Sequence, residues 1–286
     1  MPGNAAMTER LAAALGCTAG IIATRKFPDS ETYLRYETDV RGRNIALVCT
    51  LDRPDGKILP LLFAARTAKD LGAAKVSLIA PYLAYMRQDR SFHPGEAVSS
   101  RYMAALISGW FDALVAVDPH LHRYHALSEI YSIPAAVVHA APELSAWTKA
   151  NVADPFLIGP DEESAQWVSD VARDAGAPFT TLVKARLGDR KVEVRHADLE
   201  VLGSRTPVLV DDIVSSGRTM LEAVKLVKAA SSKAPVCIAV HGIFADHSDD
   251  MLAQTGAEVV TTNTIPHPTN RIDLTRPIAA AIQNLL

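Results

Sequence analysis

The feature that most constrains the fold is a regular alternation of short apolar runs with longer stretches of helical spacing. The runs are rich in β-branched residues and almost continuously apolar, so we expect strands buried on both faces, as in a parallel sheet covered by helices. Strand–helix alternation of this kind predicts an open α/β sheet. The predicted strands are residues 44–50, 75–80, 113–117, 135–139, 156–158, 180–183, 207–210, 236–240 and 258–262, and the predicted helices are residues 58–71, 97–109, 162–175 and 219–230.

The alternation occurs twice, which predicts two similar domains. The chain has 286 residues, enough for two domains of roughly 140 residues each. In each half one strand ends in acid: Asp118 in the first, Asp211 and Asp212 in the second. Ligands of open α/β sheets bind at the carboxyl ends of strands, so these acids lie where a site is expected. We predict domains at residues 1–142 and 143–286, each a mostly parallel sheet flanked by helices.

The composition excludes several classes of function. Charged residues make up 21% of the chain and the formal net charge is −3, so no overall field attracts nucleic acid or an acidic membrane. The three cysteines are far apart, without the spacing of a disulfide framework or a zinc site, which fits a reducing cytoplasm. No apolar run reaches the ~18 residues that span a bilayer. We expect a cytoplasmic protein that binds neither nucleic acid nor membrane.

The strongest local signal is PVLVDDIVSSGRTM at residues 207–220. A buried strand leads to Asp211 and Asp212, and the small residues at 215–219 then open a helix. Small residues let several backbone N–H groups converge on an anion, and the helix N-terminus adds about half a positive charge. Because the two carboxylates repel phosphate, their expected partners are sugar hydroxyls and a divalent cation. The pattern predicts a site for a phosphorylated sugar; the alternative is an ordinary helix N-cap after a strand.

This segment resembles the phosphoribosyl-pyrophosphate-binding motif of type I phosphoribosyltransferases and of ribose-phosphate pyrophosphokinases. The motif is shared by both and does not separate them. Further segments resemble the pyrophosphokinase family and follow its order, so the resemblance covers roughly residues 25–280. It implies two phosphoribosyltransferase-type domains, with ATP bound by the first and ribose 5-phosphate by the second. Residues 123–130 look most like the short archaeal-type members.

The resemblance implies that three segments of the first half contact ATP. FPDSE at residues 27–31 resembles F-x-D-G-E, in which the ring stacks on adenine and the acids accept hydrogen bonds from its amine. YMRQDR at residues 85–90 resembles the ATP-contacting Y-x-R-Q-D-R/K loop, and DPH at residues 118–120 resembles D-x-H. Seen alone, the first two are also compatible with polar surface turns. The implied ATP-binding residues are Phe27, Asp29, Glu31, Arg87, Gln88, Asp89, Arg90 and His120.

In this family the segment equivalent to residues 27–31 reaches into the neighbouring subunit's site. The resemblance therefore implies a homo-oligomer, a dimer or larger, with an active site shared between subunits. Ser30 stands where the family usually has Gly, so we expect a slightly different turn.

The catalytic flap and the metal site are also implied by resemblance. Lys184 and Arg186 in KAR resemble the family's K-x-R flap, and we expect an extended, mobile loop that continues through LGDRK at residues 187–191; a solvated basic loop is the alternative. Asp161 in GPD matches the superfamily's ribose-side acid. Mg²⁺ is the implied cofactor, with Asp118, His120 and Asp161 as its ligands. The segment TNTIP at residues 262–266 also resembles the family, and we interpret it as structural.

The implied reaction is transfer of the β,γ-diphosphate of ATP to the 1-hydroxyl of ribose 5-phosphate. Two alternatives remain: a type I phosphoribosyltransferase, which shares only the loop segment, and a non-catalytic regulatory paralogue, which would lack flap or metal residues. Two residues depart from the family, because Ser215 replaces an acid common in bacterial members and Arg218 replaces the usual Gly. The implied ribose 5-phosphate site is Asp211, Asp212, Ser215, Ser216, Gly217, Arg218 and Thr219.

Overall fold

The computed structural model describes the chain except residues 122, 162–163, 188–190, 196–198 and 286, and gives only the backbone at 166, 183–187 and 191–195. The chain forms two compact units. One unit comprises Met1–Val138 with Thr275–Leu286, and the other comprises His139–Leu274. Along the described residues no helix is both long and apolar enough to cross a membrane.

The first unit is built on a four-stranded parallel sheet in the order β3-β4-β5-β6, with an antiparallel hairpin, β1–β2, before it. Strands β4 and β5 are buried along almost their whole length, as their apolar sequences predict. Its elements are α1 (Ala5–Leu15), β1 (Ile22–Lys26), β2 (Thr32–Tyr36), β3 (Asn44–Val48), α2 (Asp55–Asp70), β4 (Lys75–Ala80), α3 (Ser99–Trp110), β5 (Ala113–Val117) and β6 (Ala135–Val138).

The second unit is built on a six-stranded parallel sheet in the order β14-β13-β12-β11-β7-β8, and β9 and β10 form an antiparallel hairpin. Its core packs α6 against β11 and α7 against β13, and the two helices also contact each other. The elements are α4 (Ala141–Asn151), β7 (Pro155–Gly159), α5 (Ala165–Ala175), β8 (Phe179–Thr181), β9 (Val183–Leu187), β10 (Lys191–Arg195), β11 (Thr206–Val214), α6 (Arg218–Ala230), β12 (Val236–Gly242), α7 (Ser248–Gln254), β13 (Glu258–Thr262) and β14 (Asn270–Ile272).

The last helix, α8 (Thr275–Leu285), belongs to the first unit, although the sequence analysis placed all of residues 143–286 in the second domain. Its buried side chains Ile278, Ala279 and Ile282 form the apolar stripe of an amphipathic helix. That stripe packs against α1, β5 and β6, so the C-terminal helix completes the core of the first unit.

The two parallel sheets with flanking helices confirm the predicted α/β class. Strand β11 extends to Val214, four residues beyond its predicted end, so Asp211 and Asp212 lie inside the strand. The extension is held by β12, which pairs with β11 as far as Val214↔Gly242. Helix α5 spans Ala165–Ala175, and residues 162–163 of the predicted helix lie outside the described part of the chain.

Candidate active site

Acidic side chains of the second unit gather where two neighbouring strands end. Strand β7 pairs in parallel with β11 up to Ile158↔Leu209, and Asp161 follows the end of β7. Strand β11 continues past this point and carries Asp211 and Asp212. The sequence analysis assigned all three residues to the metal or the ribose, and the structure places them at one edge of one sheet.

Asp211 is the electrostatic centre of this edge. Burial raises the pKa of its carboxyl well above the usual range, and the charges of Asp212 and Asp161 raise it further. The backbone N–H of Asp212 donates a 2.9 Å hydrogen bond to Asp211 Oδ1, which offsets only part of this effect. Negative charge concentrated in this way favours a cation or hydroxyl donors as ligands.

The segment of residues 215–219 forms the predicted loop between β11 and α6. Gly217 adopts a left-handed conformation with φ of 68°, which turns the chain into the helix at Arg218. Within the described structure, the backbone N–H groups of residues 215–219 have no protein acceptor. Free N–H groups at the N-terminus of a 13-residue helix are the geometry of an anion site. Ser216 and Arg218 are exposed on the loop, so the Arg218 side chain does not fill it.

A metal ion fits this edge only with help from its substrate. Among the residues that the structure describes, no three His, Cys, Asp or Glu side chains converge closely enough to hold a metal. Mg²⁺ commonly takes one or two carboxylates and completes its shell with water and substrate phosphates. Asp161, Asp211 and Asp212 supply oxygen donors of that kind. Of the ligands predicted from sequence, Asp118 and His120 belong to the first unit and Asp161 to the second.

In the first unit, the structure brings together the segments that follow β4 and β5. Asp89 Oδ1 forms an ion pair with Arg123 Nε at 3.4 Å. The Tyr124 hydroxyl donates a hydrogen bond to the Asp89 backbone carbonyl at 3.3 Å. The Asp89 side chain is only 7% exposed, and its ion pair with Arg123 fixes the loop that carries Arg87 and Gln88. The sequence analysis missed Arg123 and Tyr124 as its partners, and no local pattern identifies them.

Other predicted ATP-binding residues remain accessible on these segments. Arg87 and Arg90 are exposed, and the Arg90 guanidinium lies 4.6 Å from the Phe92 ring centroid. Gln88 and His120 are half-buried. Asp118 follows β5 and its backbone N–H donates to Val138 at 3.0 Å. Since β4 and β5 are parallel neighbours, these side chains stand along one carboxyl edge.

The predicted adenine segment, residues 27–31, is the exposed tip of the β1–β2 hairpin. Phe27 N–H donates to the Glu31 carbonyl at 2.8 Å, and Asp29 Oδ1 accepts from Glu31 N–H at 3.1 Å. Ser30, in place of the usual Gly, adopts φ of 74°, a conformation that favours glycine. The Arg25 guanidinium lies 4.5 Å from the Phe27 ring centroid. Phe27 therefore already stacks on a cation, with an exposed surface left over.

The residues predicted to form the flap begin in an extended strand. The backbone of Lys184 and Arg186 lies in β9, where the two residues pair with Val194 and Val192 of β10. The alternating valines of β10 favour a strand, which accounts for the hairpin. The Lys184 and Arg186 side chains, and residues 188–190 of the predicted loop, lie outside what the structure describes.

The fold and the second-unit site define a phosphoribosyltransferase-type protein. The family model described as the phosphoribosyl transferase domain matches residues 126–275, and that of the N-terminal domain of ribose phosphate pyrophosphokinase matches residues 1–110. The chain belongs to the ribose-phosphate pyrophosphokinase family. It is 33% identical over 281 residues to the ribose-phosphate pyrophosphokinase of Methanopyrus kandleri, covering 97% of this chain and 95% of that one.

Other relatives show the same full-length similarity. The ribose-phosphate pyrophosphokinase of Sulfolobus acidocaldarius is 32% identical, with 96% of each chain covered. The crystal structure of phosphoribosylpyrophosphate synthetase from Mycobacterium smegmatis has a TM-score of 0.83 at 22% identity, covering 97% of this chain and 94% of that one. This structural likeness supports the fold, and the archaeal relatives agree with the predicted resemblance to archaeal-type members.

Proposed function

We propose that this protein transfers the β,γ-diphosphate of ATP to the 1-hydroxyl of ribose 5-phosphate, which yields phosphoribosyl pyrophosphate and AMP. The observation that carries the proposal is the anion loop of residues 215–219 directly after the acidic end of β11. A ligand with phosphate at one end and hydroxyls a few ångströms away satisfies both halves of this edge. Family models match both halves of the chain, and membership of the ribose-phosphate pyrophosphokinase family supports ribose 5-phosphate as this ligand.

On the sugar side, the free N–H groups of residues 215–219 hold the 5-phosphate. Ser215, Ser216 and Thr219 add hydroxyl donors, and exposed Arg218 adds a charged contact that the usual Gly lacks. Asp211 and Asp212 accept hydrogen bonds from the ribose hydroxyls. Binding at both ends fixes the sugar, and orientation of this kind is a large part of catalysis in phosphoryl transfer.

On the nucleotide side, Arg87, Gln88 and His120 contact ATP, with Phe27 against the adenine. Asp89 acts indirectly, because its ion pair with Arg123 holds the loop that carries Arg87. Bound Mg²⁺ would neutralise the charge of the triphosphate. Asp118 and His120 of the first unit, and Asp161 of the second, are each candidate ligands for it. Lys184 and Arg186 stabilise the charge on the transferring group and on the leaving AMP.

The hairpin tip of residues 27–31 is exposed, which suits a segment that completes the site of another subunit. We propose a homo-oligomer, a dimer or larger, with ATP sites shared in this way. A cytoplasmic enzyme fits the free thiols of Cys17, Cys49 and Cys237.

The test is a chromatographic assay for AMP, with ATP and Mg²⁺ and with ribose 5-phosphate present or omitted. We expect AMP only when the sugar phosphate is present. A parallel reaction supplies phosphoribosyl pyrophosphate with nucleobases and reports on the transferase alternative. Nucleotide formed in the second reaction, with no AMP in the first, would replace the proposed function by that of a phosphoribosyltransferase.

A further inference from the structure

The connection between β12 and α7 lies directly behind the anion loop and binds its backbone. The Ser215 carbonyl accepts two hydrogen bonds, from Ala245 N–H at 3.0 Å and from the Ser248 hydroxyl at 2.8 Å. The Val214 carbonyl accepts from Ile243 N–H at 2.9 Å and from Phe244 N–H at 3.1 Å. Both carbonyls at the entrance of the loop are therefore held on the α7 side.

Holding these carbonyls sets the direction of the N–H groups. In a planar trans peptide the C=O and the following N–H point in opposite directions. The Ser215 carbonyl shares its peptide unit with the Ser216 N–H, so a carbonyl directed at Ser248 turns this N–H away from α7. In the part of the chain that the structure describes, the Ser216 N–H has no protein acceptor. It is thus presented to a ligand on the open side of the loop.

Ser248 also packs against the middle of the loop. A Cβ placed on Gly217 would lie 2.8 Å from Ser248 Cβ and 3.3 Å from its Oγ, closer than side chains normally approach. Ser248 is fully buried, so the contact leaves no room for water between them. One buried serine therefore fixes the loop at two points, by a hydrogen bond at Ser215 and by van der Waals contact at Gly217.

The segment that delivers Ser248 is held in an unusual backbone conformation. Phe244, Asp246 and His247 all have positive φ, at 47°, 55° and 58°, which residues other than glycine rarely adopt. The Phe244 ring packs on the His267 ring with centroids 4.6 Å apart, and His267 Nε2 lies 3.2 Å from Asp249 Oδ2. Such conformations persist when their surroundings enforce them, and they cluster at functional sites.

We propose that Ser248 is a positioning residue for sugar-phosphate binding: it fixes the backbone of residues 215–217 so that the free N–H groups face the 5-phosphate. The inference rests on the proposed function and deepens it. Ser248 does not touch the substrate, and its effect passes through the loop alone. Loss of its hydroxyl leaves the Ser215 carbonyl with the Ala245 N–H as its one remaining donor and removes half of the restraint on its direction. The loop can then rotate, which weakens phosphate binding without any change in the ATP-contacting side chains.

The experiment compares Ser248→Ala with Ser145→Ala. Ser145 is a buried serine of the same unit whose hydroxyl also donates to backbone carbonyls, at 2.7 and 2.9 Å, but within the packing of α4 on α5. Binding of ribose 5-phosphate and of inorganic phosphate is measured by calorimetry, and KM for each substrate by AMP formation. We expect Ser248→Ala to raise the Kd and KM for ribose 5-phosphate about tenfold, as loss of one important hydrogen bond does, with KM for ATP unchanged. Ser145→Ala should leave both KM values unchanged.

Ser248→Cys keeps the side-chain shape with a much weaker donor, and serves if the alanine variant does not fold. We expect it to weaken ribose 5-phosphate binding in the same direction. Wild-type affinity in both Ser248 variants, equal loss in Ser145→Ala, or no phosphate binding by the wild type would overturn the proposal. If the wild type binds ribose 5-phosphate but forms no AMP, the proposed reaction fails, while the binding ratio of Ser248→Ala to wild type still decides the role of Ser248.

Discussion

Asp211 and Asp212 are adjacent in β11, and the carboxylate of the first accepts a 2.9 Å hydrogen bond from the backbone N–H of the second. Even with this bond, burial and the neighbouring carboxylates hold the pKa of Asp211 well above its usual range. Ionisation of Asp211 is therefore unfavourable in the unliganded protein, at the edge where we place the ribose. Binding sites commonly keep such charge because the ligand compensates it.

Asp211→Asn should stabilise the unliganded protein increasingly as the pH rises. Because the folded-state pKa of Asp211 exceeds the unfolded value, the folded state binds more protons between the two, and stability falls as pH rises through that window. Asn has no such dependence. The difference in melting temperature, variant minus wild type, should therefore grow as the pH rises from about 4, near the unfolded pKa, through the raised folded-state pKa of Asp211.

The measurement is thermal unfolding in a chelating buffer, with Asp250→Asn, an exposed aspartate, as the control for loss of one negative charge. A difference that stays constant, or shrinks with rising pH, would show that Asp211 is not strained in this way. We expect the same Asp211→Asn variant to bind ribose 5-phosphate more weakly, since a carboxylate accepts hydroxyl hydrogen bonds more strongly than an amide does.

Gly217→Ala should damage both folding and sugar-phosphate binding. Gly203 provides the matched control, since it also has positive φ, 54°, but no described atom lies within 4 Å of a Cβ built there. Both substitutions carry a backbone cost of about 1–2 kcal/mol. The contact with Ser248 should add about 1–3 kcal/mol at Gly217 alone. Urea unfolding and ribose 5-phosphate calorimetry measure the two effects, and equal behaviour of the two variants would contradict the close packing of the loop.

Ser30→Gly should raise stability by about 1 kcal/mol, because the left-handed conformation costs an L-residue and not glycine. Ser132→Gly is the control, an exposed serine outside the positive-φ residues, and it should destabilise slightly. Denaturant unfolding tests both. A stabilisation in neither variant, or in both, would mean that the hairpin tip does not hold Ser30 as described.

Lys184→Ala should lower kcat by about 10²-fold, the usual loss for one group that stabilises transition-state charge, and leave ribose 5-phosphate binding nearly intact. Lys191→Ala is the matched control, since Lys191 lies on the paired strand of the same hairpin. Steady-state kinetics and calorimetry separate the two effects. An unchanged kcat in Lys184→Ala would remove this residue from the mechanism.

Much of the fold follows from local sequence, because strands buried on both faces of a parallel sheet are nearly continuous apolar runs with few polar residues. Strands β4, β5 and β13 begin and end where the sequence predicts. The hairpins were missed because IATRK and TYLRY carry charge and alternate too weakly to stand out from loops. Residues 275–286 were placed in the second domain because they follow it in sequence. The apolar stripe of α8 shows that the helix is buried but not against which surface, and that surface lies in the first unit, far away along the chain.

The candidate site divides in the same way. The loop after β11 was predicted because an anion site made of backbone N–H groups requires small residues and a helix start at fixed spacing. Ser248 had no such signal, since a serine at the start of a short helix is commonplace and its partner is 33 residues away. Asp89 was predicted to bind ATP because its motif suggests it, whereas its ion pair with Arg123 depends on tertiary contact.

The most direct test of the central claim follows the phosphorus spectrum of ATP, Mg²⁺ and ribose 5-phosphate incubated with the purified protein. We predict that AMP appears together with a diphosphate linked to ribose, and that neither forms when the sugar or the metal is withheld. Intact ATP, in the presence of a protein that still binds nucleotide, would contradict diphosphoryl transfer.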